Sequence, residues 1–292
     1  MKKKILSSLL FLLTYLSGYS SSQEPDFIIF QNDTIRTYNL ILESYLHRYI
    51  PKKTERLFGF SFRDGASPNC WRGYQAIYKI ENDSLFLVNI IDCHELGSGS
   101  IDIKKSRKKM KRIFGNKLKN GRVFVNWFNG TLNFPIRDKM LRYDRIFYRI
   151  FEEETIIDIF NGKVLSHYDV KNYVDKPNGI NRRYKDKITD IIFEELIRDS
   201  WINNKDYDCS ETYTITIDAM GKVSEVKLFV NDEDQGLFFN PDEYHYCIDK
   251  ITNALKLLKF DIIKDKGIPI SEDVYLEIWI KDDGTIENWT KE

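Results

Sequence analysis

Short runs of alternating apolar and polar residues, separated by turn residues, constrain the fold of this chain more than any other sequence feature. The clearest case is residues 155–160, then Asn161-Gly162, then residues 164–168. Asn-Gly tolerates the positive φ angles of a type I′ turn, so this stretch predicts a β-hairpin. Residues 74–80 and 85–90, with a Glu-Asn-Asp turn between them, predict a second hairpin.

A third hairpin is predicted from residues 122–127 and 131–134, which flank Asn129-Gly130. Repeated hairpins at this spacing predict an antiparallel β-rich domain, either a sandwich or an open barrel. Two helices are expected to interrupt it, at residues 39–48 and 101–118, because apolar residues recur there near helical spacing.

The strand pattern ends at Lys176-Pro177-Asn178-Gly179, a sequence that breaks regular structure. We place a boundary near residue 180, with a β-rich domain at residues 23–180 and a smaller domain at residues 181–292. The second domain has the predicted order α-β-β-α-β, and its second helix begins at an Asn cap followed by Pro. The predicted fold class is therefore α+β.

Residues 1–22 have the composition of an export signal. Three lysines precede an apolar run at residues 5–16, and small residues follow it. The run is too short to span a bilayer, and no cysteine follows the small residues for lipid attachment. Cleavage between Ser22 and Gln23 would leave a periplasmic or secreted chain without a transmembrane anchor.

The four cysteines fall two in each half of the chain. In an exported protein this pattern predicts disulfides, and the pairs Cys70–Cys93 and Cys209–Cys247 keep each bridge within one domain. The alternative is four reduced cysteines that pack as small apolar residues.

Charge argues against a nucleic-acid partner, because 44 Lys and Arg residues balance 44 Asp and Glu residues. One local exception is the segment Lys104–Arg112, in which seven of nine residues are cationic. This segment predicts either an anionic partner or a solvated helix face.

Catalytic and metal-binding motifs are weak. The four histidines have no metal-ligand spacing, and residues 97–100 lack the Gly-x-Ser-x-Gly motif. Cys93 and His94 are adjacent, so on a strand their side chains point to opposite faces. We expect no metal, no cofactor and no enzymatic activity. A hydrolase whose carboxylates, such as Asp64 and Glu95, converge only in the fold remains an alternative.

Three segments of the last third follow one another in a characteristic order. Residues 213–226 read as a strand, a Gly-Lys-Val turn and a returning strand; residues 247–260 read as a helix that ends in Lys-Phe; and residues 266–270 are Lys-Gly-Ile-Pro-Ile. This arrangement, over about residues 205–281, resembles the C-terminal domain of TonB-type energy transducers. The resemblance implies a small module that binds a protein partner by a sheet edge or face.

The chain departs from that family in lacking an uncleaved membrane helix and a Pro-rich spacer, so energy transduction is not expected. Residues 70–74 and 123–132 also resemble secreted proteins of unknown function, which implies no particular activity.

Two groups of residues are candidates for binding. Tyr275 and Trp279 lie on the polar face of the last predicted strand, where they are either exposed for docking or packed against the first domain. Trp71, Arg72 and Trp127 are candidates for a pocket that binds sugars or other flat ligands; the alternative is that they are core residues. The preferred reading is an exported, non-enzymatic protein that binds a protein partner.

Overall fold

The computed structural model describes residues 23–49, 67–99, 101–198, 207–230 and 240–290. The predicted signal peptide lies outside these residues. The fold is α+β, as predicted, and its described part contains four α-helices: α1 Ile41–Tyr49, α2 Ile103–Phe114, α3 Asp186–Arg198 and α4 Pro241–Leu255. None of the helices in this part of the chain is long and apolar enough to cross a membrane.

The described strands are numbered in chain order. They are β1 Asp26–Phe30, β2 Asp33–Thr37, β3 Gln75–Glu81, β4 Ser84–Ile91, β5 Val123–Phe124, β6 Gly130–Pro135, β7 Met140–Tyr143, β8 Arg149–Phe151, β9 Glu153–Phe160, β10 Lys163–Lys171, β11 Tyr173–Val174, β12 Thr212–Ile217, β13 Val223–Leu228, β14 Ile262–Asp265, β15 Ile268–Pro269, β16 Glu272–Ile280 and β17 Ile286–Asn288.

The largest sheet has eight strands in the order β2-β1-β3-β4-β10-β9-β6, with β5 added on β4. The predicted hairpin at residues 74–90 is present as the antiparallel pair β3 and β4. Strands β9 and β10 are also neighbours, and their turn residues Asn161 and Gly162 have φ angles of 47° and 73°. Strand β1 pairs with β3 in parallel, a detail that the predicted hairpins do not contain.

The predicted hairpin around Asn129-Gly130 is wrong. Strand β5 pairs with β4, and β6 lies beside β9. Asn129 serves another purpose, since its side-chain oxygen accepts a hydrogen bond from the backbone N–H of Asn161. The Asn-Gly pair therefore supports the neighbouring β9–β10 turn.

A second sheet, with the order β13-β12-β16-β17, is antiparallel throughout. Helices α3 and α4 cover one of its faces. Helix α4 begins as the sequence predicts, because the Asn240 side chain accepts a hydrogen bond from the N–H of Asp242. The residues packed between helices and sheet are almost fully buried and include Ile188, Ile192, Leu196, Tyr213, Ile215, Ile251, Leu255, Val274, Leu276 and Ile278.

Two smaller sheets complete the described strands, one formed by β11, β14 and β15 and the other by β7 and β8. The predicted order α-β-β-α-β is present as α3, β12, β13, α4 and β16. Strand β17, which follows β16 and pairs with it, was not predicted.

Both predicted disulfides are present. Cys70 and Cys93 have Cα atoms 6.2 Å apart, and Cys209 and Cys247 have Cα atoms 5.6 Å apart. The second bridge ties the segment before β12 to helix α4. Paired disulfides are typical of proteins that fold in an oxidising, extracytoplasmic compartment.

The described chain divides into two compact units. One contains the described residues up to Leu132 with Tyr143–Tyr148 and Ile157–Ser166, and the other contains Asn133–Arg142, Arg149–Ile156 and the described residues from His167 onward. The sequence suggests a single boundary near residue 180, whereas β6, β9 and β10 each contribute residues to both units.

Candidate functional site

Among the described residues, the face of the sheet β13-β12-β16-β17 that lies opposite helices α3 and α4 carries four large aromatic side chains. Phe229, Tyr275, Trp279 and Trp289 are 60%, 46%, 48% and 47% exposed. Side chains alternate between the faces of a strand, so burial of Val274, Leu276 and Ile278 beneath the helices directs their neighbours on β16 outward. We call these four residues the aromatic face.

The aromatic face consists of two ring pairs. The rings of Trp279 and Trp289 are stacked, with centroids 5.1 Å apart and an interplanar angle of 23°. Those of Phe229 and Tyr275 meet edge to face at 5.0 Å and 75°. Both geometries are favourable for aromatic pairs, so the rings hold one another in place while about half of each ring remains in contact with water.

Strand register fixes where these rings lie. Tyr275 is opposite Thr214 on β12, and Thr214 is only 4% exposed. The N–H of Trp289 donates to the carbonyl oxygen of Glu277, which secures the segment after β17 against β16. Glu277 lies between Tyr275 and Trp279 in the alternation of β16, so a carboxylate separates the two ring pairs.

The backbone of β16 is already engaged on both sides around residues 277–280. Strand β12 pairs with residues 272–277 on one side of β16, and β17 pairs with residues 278–280 on the other. The N–H of Glu277 donates to the hydroxyl oxygen of Thr290 at 2.8 Å, so it is already satisfied. An added strand could therefore not pair along the whole of residues 274–280 on that side, and the described edges of this sheet are β13 and β17.

The chemistry of the aromatic face suits binding. Exposed aromatic rings offer apolar area and a negative π-surface that attracts cations, while Glu277 adds a negative charge between them. Large, rigid aromatic side chains are also the residues that contribute most to protein interfaces.

Sequence reasoning found Tyr275 and Trp279 but missed Phe229 and Trp289. Phe229 continues the outward alternation of Glu225 and Lys227 just beyond β13, which was a usable signal. Trp289 follows a three-residue strand, so its position depended on recognising β17.

Arg72 does not line a pocket. It is 2% exposed, and its Nη1 donates to Asp26 Oδ1 at 2.7 Å while its Nη2 donates to the carbonyl oxygen of Glu24 at 2.6 Å. Burial raises the pKa of Asp26 even though the Arg72 guanidinium opposes the shift. Trp71, in the adjacent turn, is half-buried, and its backbone N–H donates to the side-chain oxygen of Gln23. Arg72 is therefore a core residue.

Trp127 is also mainly a core residue. It is 7% exposed, its ring packs against Tyr45 and Phe114 at 4.5 and 5.6 Å, and its Nε1 donates to the carbonyl oxygen of Ile41. Its remaining surface lies in an open depression of about 240 Å³. The depression is lined by Asn39, Leu40, Ser44, Arg48, Trp127, Phe128 and Asn129.

The residues considered for catalysis have structural roles where the structure describes them. Cys93 is bonded to Cys70, and Glu95 accepts hydrogen bonds from the N–H groups of Asp92 and Asp102, so it organises a turn. Asp64 lies outside the described residues. Among the residues that the structure describes, no three His, Cys, Asp or Glu side chains form a group that could hold a metal ion.

The cationic segment Lys104–Arg112 lies on helix α2, as predicted, in the unit that contains strands β1 to β5. Lys105 and Lys109 both form ion pairs with Asp92. The other basic side chains of the helix point outward.

Comparison of the chain with models of known protein families, with curated proteins and with solved structures gives no match.

Proposed function

We propose that this chain is an exported, non-enzymatic protein that binds a protein partner at its aromatic face, in the periplasm or after secretion. The observation that carries the proposal is the exposure of Phe229, Tyr275, Trp279 and Trp289, each close to half or more, on one face of an otherwise well-packed sheet. Several large apolar side chains exposed together on one face of a protein often mark an interaction site.

The resemblance of residues 205–281 to the TonB C-terminal domain supports the same function. In that family the module is a periplasmic docking unit, and here it carries an aromatic surface on the sheet face opposite its helices. The proposal uses this face because contacts with β12, β17 and Thr290 already occupy the backbone of β16 around residues 277–280.

The chemistry of the face defines the partner. A segment with an apolar side chain can pack on the Trp279–Trp289 pair, and a neighbouring Lys or Arg can approach Glu277 and the ring of Tyr275. We therefore propose a partner segment that combines apolar and basic residues.

Site-specific photocrosslinking in intact cells tests this function. Benzoylphenylalanine replaces Tyr275 on the face, and in a matched control it replaces Lys256, an exposed residue at the end of α4 on the helical side. We expect one discrete adduct from position 275 and none from position 256. Equal adducts from both positions, or none from position 275, would contradict docking at this face.

Alanine variants then test whether the aromatic rings contribute to binding. Trp279→Ala removes both its own contact and the stacking partner of Trp289, and we expect the adduct to be lost, since a central aromatic anchor contributes about 2 kcal/mol to binding. Phe160→Ala is the control, because Phe160 is 56% exposed in the other unit. An adduct that survives Trp279→Ala and weakens with Phe160→Ala would move the site away from the aromatic face.

Export is tested separately. Intact-mass analysis of the protein from the periplasm or the medium should show a chain that begins at Gln23. A mass that includes residues 1–22 would contradict cleavage at this point.

The depression at Trp127 favours a second candidate function, the binding of a small ligand or glycan. It combines aromatic surface from Trp127 and Phe128 with the amide of Asn39 and the guanidinium of Arg48. Such a mixture of flat apolar surface and a few polar groups is typical of ligand sites. Glycan-array binding that is lost in Arg48→Ala and retained in Arg36→Ala would support this function, and binding retained in Arg48→Ala would exclude the depression.

A further inference from the structure

Helix α2 presents two separate groups of cations. Lys105 and Lys109 turn toward the protein and share the carboxylate of Asp92. Lys104, Arg107, Lys108 and Lys111 are exposed, and none of these four forms an ion pair with any residue that the structure describes. We call these four residues the basic stripe.

Spacing makes the basic stripe one continuous surface. Lys104 and Lys111 are each three or four positions from Arg107 and Lys108, so the four residues lie on the same side of the helix. Four pairs of like charges face one another at three- or four-residue spacing, which is unfavourable for an isolated helix. No residue from Ile103 to Phe114 is acidic, so the helix supplies no counter-charge to the stripe.

Neighbouring residues extend the positive surface. The guanidinium of Arg107 lies against the turn at Gly121, because a Cβ atom added there would be 3.6 Å from its Nη2. Lys119, in the same turn, is exposed. The excess charge therefore continues from the helix into the following loop.

An exposed apolar side chain, that of Ile103, lies beside the basic stripe. Ile103 is 44% exposed and stands four positions before Arg107, at the start of the same helical surface. Flexible lysines around an exposed apolar residue are typical of helices that lie on anionic membranes. Three of the four stripe residues are lysines, which act as point charges on long stems and do not require a partner of fixed shape.

We propose that the basic stripe, with Ile103, binds the phosphate-rich surface of an anionic lipid bilayer. The protein would then lie on the membrane through α2 while the aromatic face in the other unit remains a separate site. If the protein is exported, the membrane it binds is one that it reaches from outside the cytoplasm. The proposal does not depend on docking at the aromatic face.

Vesicle flotation tests the proposal, using the exported full-length protein with an N-terminus defined by mass spectrometry. Vesicles of phosphatidylcholine alone are compared with vesicles in which phosphatidylglycerol replaces a third of the lipid. We expect binding to the anionic vesicles only, and loss of binding when the salt is raised from 0.1 to 1 M, which shortens the Debye length from about 10 Å to about 3 Å.

The triple variant Lys104→Gln, Lys108→Gln and Lys111→Gln should lower the partition coefficient about 100-fold, because each cation near such a surface contributes about fivefold. The control triple variant Lys171→Gln, Lys187→Gln and Lys256→Gln makes the same change in net charge at exposed sites in the other unit and should bind like the wild type. Circular dichroism and thiol titration confirm that both variants are folded and oxidised.

Three results would overturn the proposal: equal binding to both kinds of vesicle, equal losses in the two triple variants, or undiminished binding by the stripe variant. Ile103→Ser distinguishes a membrane from an acidic protein. It should weaken vesicle binding several-fold and leave capture on soluble polyglutamate unchanged, whereas capture on polyglutamate without any vesicle binding would reject the membrane as the partner.

Discussion

Replacing Glu272 by Gln should destabilise the protein strongly, because the Glu272 carboxylate is the counter-ion of several cations. Glu272 is 10% exposed and makes a two-pronged hydrogen bond with Arg142, at 2.5 and 2.6 Å. Arg182 Nη2 lies 3.1 Å and Lys185 Nζ lies 3.4 Å from the same carboxylate. One carboxylate is therefore the counter-ion of three cations, two of which are buried.

The magnitude follows from that burial. The amide has almost the same shape but no charge, so it leaves Arg142 and Arg182, 9% and 0% exposed, without their counter-ion. Removing one partner of a buried ion pair typically costs about 3–5 kcal/mol. The control Glu225→Gln breaks an exposed pair with Lys227, which is worth at most about 1 kcal/mol.

Urea unfolding at neutral pH measures both variants. We expect Glu272→Gln to lower the free energy of unfolding by about 3 kcal/mol or more and Glu225→Gln to change it little. Similar values for the two variants would refute the argument that Glu272 balances buried charge.

The effect of Glu272 also depends on pH. Burial by itself raises the pKa of this carboxyl, but Arg142, Lys185 and Arg182 outweigh it and hold the pKa below 4.5. A carboxyl with a lowered folded-state pKa stabilises the protein above its unfolded pKa, and that contribution is lost as the pH falls through the folded value. The stability difference between the wild type and Glu272→Gln should therefore shrink below about pH 4.5. A difference that stays constant down to pH 2 would contradict this assignment.

Two further predictions concern the same unit. Replacing both Cys209 and Cys247 by Ser opens a loop of 38 residues and should lower the free energy of unfolding by about 4 kcal/mol in the chain-entropy model, measured by urea unfolding against the oxidised wild type. A loss below about 1 kcal/mol would show that the bridge constrains little. Gly221→Ala should lower the melting temperature by several degrees, because φ is +75° there and the added Cβ would lie 2.2 Å from the carbonyl oxygen of Phe260. An unchanged melting temperature would mean that the turn readily shifts.

Features set by adjacent residues could be read from the sequence. Asn161-Gly162 specifies a turn by its own tolerance of positive φ, and Asn240 caps α4 through a hydrogen bond two residues away. Tyr275 and Trp279 were placed on the outer face by the alternation of β16, in which the buried residues are apolar.

Features that depend on distant residues could not be read in this way. The parallel pairing of β1 with β3 joins residues about fifty positions apart, and nothing in the sequence of either strand indicates which strand it pairs with. The three cations around Glu272 come from β7, the loop before α3 and the residue directly before α3, so no local pattern brings them together. Trp289 is an intermediate case, because Asp283-Gly284 offered a turn signal but β17 is too short to show alternation.

The contacts of Gln23 and Glu24 with the turn at residues 67–71 have a consequence for the proposed removal of residues 1–22. Gln23 and Glu24 hydrogen-bond to the turn at residues 67–71, which the Cys70–Cys93 bridge holds in place, so the residues just after the predicted cleavage point are tied down in the folded protein. A signal peptidase needs an extended, accessible stretch of chain on both sides of the bond that it cuts. If residues 1–22 are removed as proposed, their removal must precede the closing of this turn, and a precursor that folded first would escape processing.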